Sequence, residues 1–417
     1  MPYPLEEQEA IGRRIKRLRL RLGMAQADLA VAVGKTQGWL SRVENGRLEL
    51  DRAGLINQIA AALHCHPNDL LERPYTSDVQ ENLWQVAAAS IMRELRRFDL
   101  APTFAGIPRP SSQLWADVKR IHRLRDAAAN TAILREMPDV LREARALAEV
   151  STGHEREEAF AVYTVCCKAT HTAAHALGHP ELIALACERA MWSARLSGDP
   201  LMPAVADYMR MWDMWATADW TDAMVLANRA LASVEEYAGQ DDQLALRMRG
   251  ILHLRAAVSA ARGGDVEESK ARIANAAETA DRIGRYAGPP VFDRQSVTFS
   301  AGNVTIHGIA TALEAGDHVR SLELNDAADA AEIDALPHSR RGNHHMDMAK
   351  AYLWNGDRHT ALEELRKAED LAPQLVRNHP IARATLRRIV YAERASTREQ
   401  LRGMSNRFHL DDQGLFR

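Results

Sequence analysis

Apolar residues recur every three to four positions along almost the whole chain, and the strict apolar–polar alternation of a half-buried strand is essentially absent. The pattern falls into three zones. Residues 11–71 carry short helical segments in which Leu18, Leu22, Leu29, Val33, Leu40 and Val43 are spaced to form one small core. The stretch ERPYTSDVQ (72–80) reads as a linker, and a helix is expected from about Glu81 to Phe98. Residues 99–112 contain Pro102, Pro108 and Pro110 and are expected to form a loop. From Gln113 onward the helical period continues with little interruption.

That last zone is punctuated at regular intervals. Gly264-Asp265, Gly316-Asp317 and Gly356-Asp357 are turn dipeptides, and Ala218-Asp219 occupies an equivalent position. The four aspartates are 46, 52 and 40 residues apart, periods that predict stacked helical hairpins instead of one globular core. MAKAYLWNGDRHTALEELRKAEDLAP resembles a tetratricopeptide repeat. Ala349, Tyr352, Ala361, Leu365 and Ala368 fall at its small and aromatic positions, with Pro373 as the terminal proline. A second copy places Ala223, Ala227 and Ala230 on one helical stripe.

The N-terminal zone carries sharper motifs. In GKTQGWLSRVENG (34–46), Gly34 can supply a left-handed turn and Gly46 can end a helix as its C′ residue. Ala30 is small where two helices would cross. With Arg19, Gln26, Leu29, Leu40, Ser41 and Glu44, these residues resemble the helix-turn-helix of the XRE family, which includes phage repressors and Cro. The resemblance implies an all-α chain: an N-terminal lambda-repressor-like helix-turn-helix domain followed by a tetratricopeptide-like α-solenoid. The expected divisions are a tail at 1–10, the DNA-binding domain at 11–72, a linker with one helix at 73–113, the repeat domain at 114–403 and a tail at 404–417.

By the same resemblance, the recognition helix runs from about Thr36 to Asn45 and enters the major groove by its N-terminal end, with Thr36 as N-cap. Gln37, Gly38, Ser41 and Arg42 then point outward, and Gln37 and Arg42 are the base-reading candidates. Gln26, Lys35, Ser41 and Arg47 are expected on phosphate. Gly38 lacks a side chain for readout, which lets the helix backbone approach DNA closely. Trp39 covers the core edge while its rim approaches the sugar–phosphate backbone. Arg19 and Glu44 are implied to form an ion pair joining the first helix to the recognition helix. A phosphate-binding loop at Gly34-Lys35-Thr36 fails, because its first glycine would fall on Leu29.

Charge agrees with that reading. Nine basic residues between Ile11 and Arg47 face only Asp28 and Glu44, a local +7 within a chain of net charge −3. The partner implied is double-stranded DNA, bound by a homodimer at a palindromic operator.

The rest of the chain resembles actinobacterial XRE regulators with tetratricopeptide-like bodies, most clearly in NVTIHGIATALEAGD, HSRRGNHHMDMAKAYLWNGD and NHPIARATLRRIV. Such bodies dimerise and house a groove for a peptide or small-molecule effector. Distantly similar peptide-pheromone receptors clamp a peptide backbone through asparagines. Asn303, His307, Arg340 and Asn343 are the corresponding candidates, weighed against ordinary capping and inter-repeat hydrogen bonds. Trp212 and Trp215, in YMRMWDMWATADW, fit either an aromatic effector pocket or a solenoid core or dimer interface. The alternative is a protein-interaction scaffold recruited to DNA without a small effector.

Cys167, His171, His175 and His179 form an i, i+4 ladder geometrically able to bind zinc, but no carboxylate or second cysteine completes the set, so a solvated or inter-helix stripe is the favoured reading and no metal or other cofactor is expected. His64-Cys65-His66, at the end of the fourth helix, has diverging side chains. The chain carries no G-x-S-x-G, H-E-x-x-H, dinucleotide or C-x-x-C signature and is read as non-enzymatic. Four irregular cysteines, no apolar run of about 18 residues and an acidic N-terminus fit a reduced cytoplasmic protein with no membrane span.

Overall fold

The helical period is realised as helix in every zone. The structure, a computed structural model, describes residues 11–48, 50, 52–65, 67–70, 79–285, 292–391, 404, 407 and 408. Every regular element among them is an α-helix. The expected tail at 1–10, residue His66 and most of the 72–80 linker lie outside the described residues.

The first unit contains α1 (Ile11–Arg21), α2 (Gln26–Ala32), α3 (Gln37–Glu44), α4 (Ala53–Ala62) and α5 (Pro67–Leu70). Leu29, Val33, Leu40 and Val43 are buried together with Ile15, Ile56 and Ile59. Gly34 and Gly46 have φ of +64° and +67°, left-handed values at which a β-carbon is strained. Two features differ from the sequence reading. Leu18 is only half-buried and Leu22 is exposed, because α1 stops at Arg21 and left-handed Gly23 turns the chain. Ile15 fills the core position instead. Gly12 is required by packing: a β-carbon there would lie 1.9 Å from the Val43 carbonyl oxygen, where α1 crosses α3. His64 and Cys65 sit in the turn after α4, His64 exposed with a positive φ.

The second unit begins earlier than expected. Helix α6 (Val79–Arg96) is no linker helix: Ala88, Ile91 and Leu95 are fully buried in the same core as the helices that follow. An apolar stripe of that width needs a packing partner. After the proline loop come α7 (Ser111–Asp126), α8 (Asn130–Val150), α9 (Gly153–Leu177) and α10 (Pro180–Ala194). Next are α11 (Met202–Met214), α12 (Trp220–Gly239), α13 (Gln243–Gly263), α14 (Val266–Gly284), α15 (Ala301–Glu314) and α16 (His318–Asp326). The chain continues through α17 (Ala330–Asp334), α18 (His338–Trp354), α19 (Arg358–Leu371), α20 (Pro373–Asn378) and α21 (Pro380–Tyr391).

The turn dipeptides join α13 to α14, α15 to α16 and α18 to α19. Gly264, Gly316 and Gly356 have φ of +88°, +92° and +88°. Asp265, Asp317 and Asp357 each accept a backbone N–H of the next helix, the N-cap arrangement. Ala218 takes the left-handed position without glycine, at φ +60°, between α11 and α12. Small residues at the crossings are fully buried, including Ala223, Ala227, Ala349, Ala361 and Ala368.

Pro373 begins α20 instead of closing the last hairpin. The expected C-terminal tail at 404–417 starts inside the fold. Met404 and Phe408 are buried with α18, α19 and α21, and Arg407 Nε bonds Glu369 Oε1 at 2.6 Å. The last repeats also reach the start of the solenoid. Ala128 shares their core, and the Thr131 amide donates to Gln374 Oε1 at 3.1 Å. The superhelix therefore closes on itself, with side chains of α9, α11, α13, α15 and α18 facing one another inside.

Candidate nucleic-acid interface and effector groove

The recognition helix is held from beneath. Arg19 Nε donates to Glu44 Oε1 at 2.6 Å and its Nη2 to Oε2 at 2.9 Å, a two-bond pair with side-chain exposures of 8% and 1%. Arg19 also donates to the Met24 carbonyl, and hydrogen bonding to Glu44 raises its already high pKa further. Gln26, expected on phosphate, instead turns its amide onto Glu44 Oε2 at 2.9 Å. The structure thus brings Arg19, Gln26 and Glu44 into one network under α3.

The outer surface of α3 is open. Thr36 Oγ1 caps the helix by accepting the Trp39 amide at 3.2 Å, and the helix spans Gln37–Glu44 with Asn45 as C-cap. Gln37, Gly38, Arg42 and Arg47 are exposed, and Lys35 and Ser41 are half-buried. Trp39 lies half-buried against the core. Nothing stands within 4 Å of the place where a Gly38 β-carbon would be. Arg13, Lys16, Arg17 and Arg21 are exposed on α1. Asn45 was not singled out from the sequence, yet its exposed amide donates to the Ser41 carbonyl at 2.7 Å and so positions Ser41. A helix C-cap of this kind has no sequence spacing that separates it from a plain turn.

Helix α4 carries this domain onto the solenoid along the edge built by the turn dipeptides. Asn57 Nδ2 donates to the Trp215 carbonyl at the end of α11. The Arg262 side chain packs on Gly54 at the end of α13. Arg52 approaches Gly316 and lies over the Trp354 ring, 5.5 Å from its centroid. Ile381 of α21 joins the DNA-domain core.

Inside the superhelix the effector candidates divide. Asn303 is fully buried. Its Nδ2 holds the preceding loop at the Thr298 carbonyl, 2.8 Å away, and its Oδ1 has no partner. Asn343 Nδ2 bonds the Ser339 carbonyl of its own helix. One N–H of each amide is therefore used within the fold. His307 Nδ1 contacts the Asn303 carbonyl at 2.7 Å; burial, then Arg340, pushes its pKa down to about 3.

Trp212, Trp215 and Arg340 converge on groups the sequence reading did not single out. Arg255, 8% exposed, lies over the rings of Tyr208, Trp212 and Trp215 at 4.1, 4.9 and 4.7 Å from their centroids. Its Nε has no partner, and burial lowers its pKa. Trp215 Nε1 donates to Ser259 Oγ at 2.9 Å. Lys168 is buried, bonds the Gln295 and Ser296 carbonyls, and is pushed down to about 7 by burial. Burial opposes ionisation of Tyr208, but Arg255, Arg340 and Lys168 outweigh it and bring the phenol to about 7. Two guanidiniums and a lysine that titrates near neutrality thus adjoin one tyrosine. Arg255 and Lys168 were missed because a cation on a helical stripe reads as a solvated face.

The histidine ladder is broken by the end of α9. His179 lies beyond left-handed Gly178, where it caps α10 by accepting the Leu182 amide, and Cys167 is fully buried. His171 and His175 instead meet Asp213 of α11, with Nε2–Oδ1 distances of 2.8 and 3.4 Å. Burial disfavours the Asp213 carboxylate, but both histidines hold its pKa well below the usual range. The carboxylate that the local sequence lacks is supplied from another helix.

Residues 10–73 match the model of a helix-turn-helix domain. No curated protein matches the chain. Among solved structures, the crystal structure of Bacillus thuringiensis PlcR in complex with the peptide PapR7 and DNA is similar over 67% of this chain and 96% of that one. Identity is 15% and the TM-score 0.27, a likeness too slight to bear on ligand or assembly. Among the described residues no helix is long and apolar enough to cross a membrane. The chain thus joins an N-terminal helix-turn-helix domain to an all-helical repeat body.

Proposed function

We propose that the protein is a sequence-specific DNA-binding transcription regulator of the XRE type that acts as a homodimer on a palindromic operator. The observation that carries this reading is the open, basic outer face of α3, backed by a buried pair that fixes the helix on its domain. Gln37 and Arg42 read base edges, Lys35, Ser41 and Arg47 hold phosphate, and Gly38 admits the backbone. Gln26 reaches phosphate only with the second N–H of the amide nitrogen it gives to Glu44. Half-sites lie about one helical turn apart or a multiple of it, and affinity falls steeply with salt.

The repeat body is the sensor. Arg255, Arg340 and Lys168 around Tyr208 favour an anionic effector, because buried cations are stabilised by a charged partner. Trp212 and Trp215 offer it aromatic walls. Its message passes to α4 through Trp215 and Arg262, both of which touch that helix.

Sequencing the DNA co-precipitated with wild type and with Arg42→Ala tests the first claim. Wild type recovers one palindromic motif, and Arg42→Ala loses preference at one position of each half-site. Unchanged sites would remove Arg42 from base reading. For the sensor, small carboxylates, phosphates and short acidic peptides are screened by thermal shift against wild type and Arg255→Gln. A stabilising anion should lose its effect in the variant; equal shifts in both would refute the groove.

A further inference from the structure

We propose that His171, His175 and Asp213 form a binding site for a divalent transition-metal ion, with zinc the ion its donors suit. Helix α9 places the two imidazoles one turn apart, and α11 brings the carboxylate between them. Both Nε2 atoms converge on Asp213 Oδ1, at 2.8 and 3.4 Å. The donor atoms of all three residues lie within 4.8 Å of one another. Tetrahedral zinc with bonds of about 2.0–2.2 Å needs donors about 3.3 Å apart, so small side-chain adjustments admit the ion.

A second observation separates this from an ordinary buried His–Asp bond. His171, 1% exposed, already satisfies the carboxylate. His175 Nε2 is buried and 3.4 Å from the same oxygen without the geometry of a good hydrogen bond, a costly arrangement unless something else binds there. Its ring is fixed by stacking on Trp212, centroids 3.9 Å apart and planes within 4°. The buried Cys187 thiol lies beside Asp213, on the side away from water. Two imidazoles and one carboxylate form a borderline donor set that takes zinc, cobalt or nickel in preference to magnesium or calcium. Among the described residues no other group of three His, Cys, Asp or Glu donors comes as close together.

Binding is read on the full-length chain, without DNA, so its outcome is separate from the regulator reading. Chelator-stripped protein is titrated with Zn²⁺ against a chromogenic competitor, and with Co²⁺ while visible absorption is followed. One equivalent per chain and the intense bands of four-coordinate cobalt are expected. His175→Gln and Asp213→Asn, whose metal-free melting should stay close to wild type, lower affinity at least about tenfold. Zinc-edge X-ray absorption on the wild type supplies a reading that no misfolded variant can blur, and should show two imidazoles with light-atom donors. No stoichiometric binding, affinity unchanged in both variants, or a shell without imidazole would overturn the site.

Discussion

The outer face of α3 and the inside of the superhelix use charge in opposite ways. Arg42 on α3 and Arg47 just beyond it stand in solvent, and the helix stays in place because one buried pair beneath it is satisfied on both sides. Inside the body the cations are withdrawn from water and crowd aromatic rings and one another, with Arg255 Nε left without a partner. Exposed charge costs little and can meet any polyanion. Buried charge is costly and selects what may join it. That contrast is the ground on which we propose nucleic acid for the first surface and a smaller, more demanding ligand for the second.

The largest expected effect comes from breaking the pair that supports the open face. Glu44→Ala strands the Arg19 guanidinium in a nearly closed site and removes the partner of Gln26. Loss of one member of a buried pair costs about 3–5 kcal/mol, enough to unfold a small domain. Thermal denaturation should show the helix-turn-helix unit melting well before the body. A shift below about 1 kcal/mol would mean that water reaches the site and that it behaves like the surface.

Acid should act on the interior and spare the face. Burial, then nearby cations, pushes His122 and His253 down to about 3, and burial with His345 pushes His344 down to about 4. Their folded values lie below the unfolded value of about 6.5, so the unfolded chain binds more protons between these limits and stability falls as pH drops below about 6.5. Each ring contributes a loss of up to about 2 kcal/mol between pH 7 and 5. Asp347 opposes them: burial raises it to about 7, so protonation favours the folded state over the same window. These four groups leave a net loss on the order of 3 kcal/mol, and the buried His307 and His379 add to it in the same direction, read as a fall in melting temperature of the body. A flat profile from pH 7 to 5 would show that these rings are solvated.

Removing charge from the face should leave the fold alone. Arg42→Ala is expected to change stability by less than about 0.5 kcal/mol, as for other surface sites, and to cost about 1–3 kcal/mol of binding to the preferred operator. Affinity for unrelated DNA should drop far less. A uniform loss across sequences, with a shallower salt slope, would reassign Arg42 to phosphate.

What the sequence made legible follows the range of the interaction. The turns at Gly264, Gly316 and Gly356 could be placed because a left-handed glycine followed by an N-capping aspartate is complete within a few residues. The support of α3 was reached through a resemblance, since Arg19 and Glu44 are 25 positions apart with no local signal. Leu22 was misplaced because a helical stripe does not reveal where its helix stops. Helix α6 reads from the sequence as a helix within a linker, because the prolines after it mask its packing on helices further along. Asp213 was missed for the same reason: it lies in a stretch conspicuous for its tryptophans, while its partners are about 40 residues earlier on another helix. Gly12 was passed over because only the crossing of α1 and α3 shows that a β-carbon has no room.

The smallest effect tests the comparison most finely, because stability and function should move in opposite directions at one residue. Gly38 is the second residue of α3 with open space around it, so a methyl group meets nothing in the free protein. Gly38→Ala should stabilise the helix by up to about 1 kcal/mol, since alanine restricts the unfolded chain and strengthens a helix of weak propensity. If the α3 backbone seats against DNA there, the same methyl group is lodged between helix and groove, and operator affinity falls although the domain melts higher. Equal or tighter binding by the stabilised variant would show that the helix stands off the DNA at Gly38. Contact would then rest on the longer reach of Gln37 and Arg42, and glycine would be a cost in helix stability with no return in recognition.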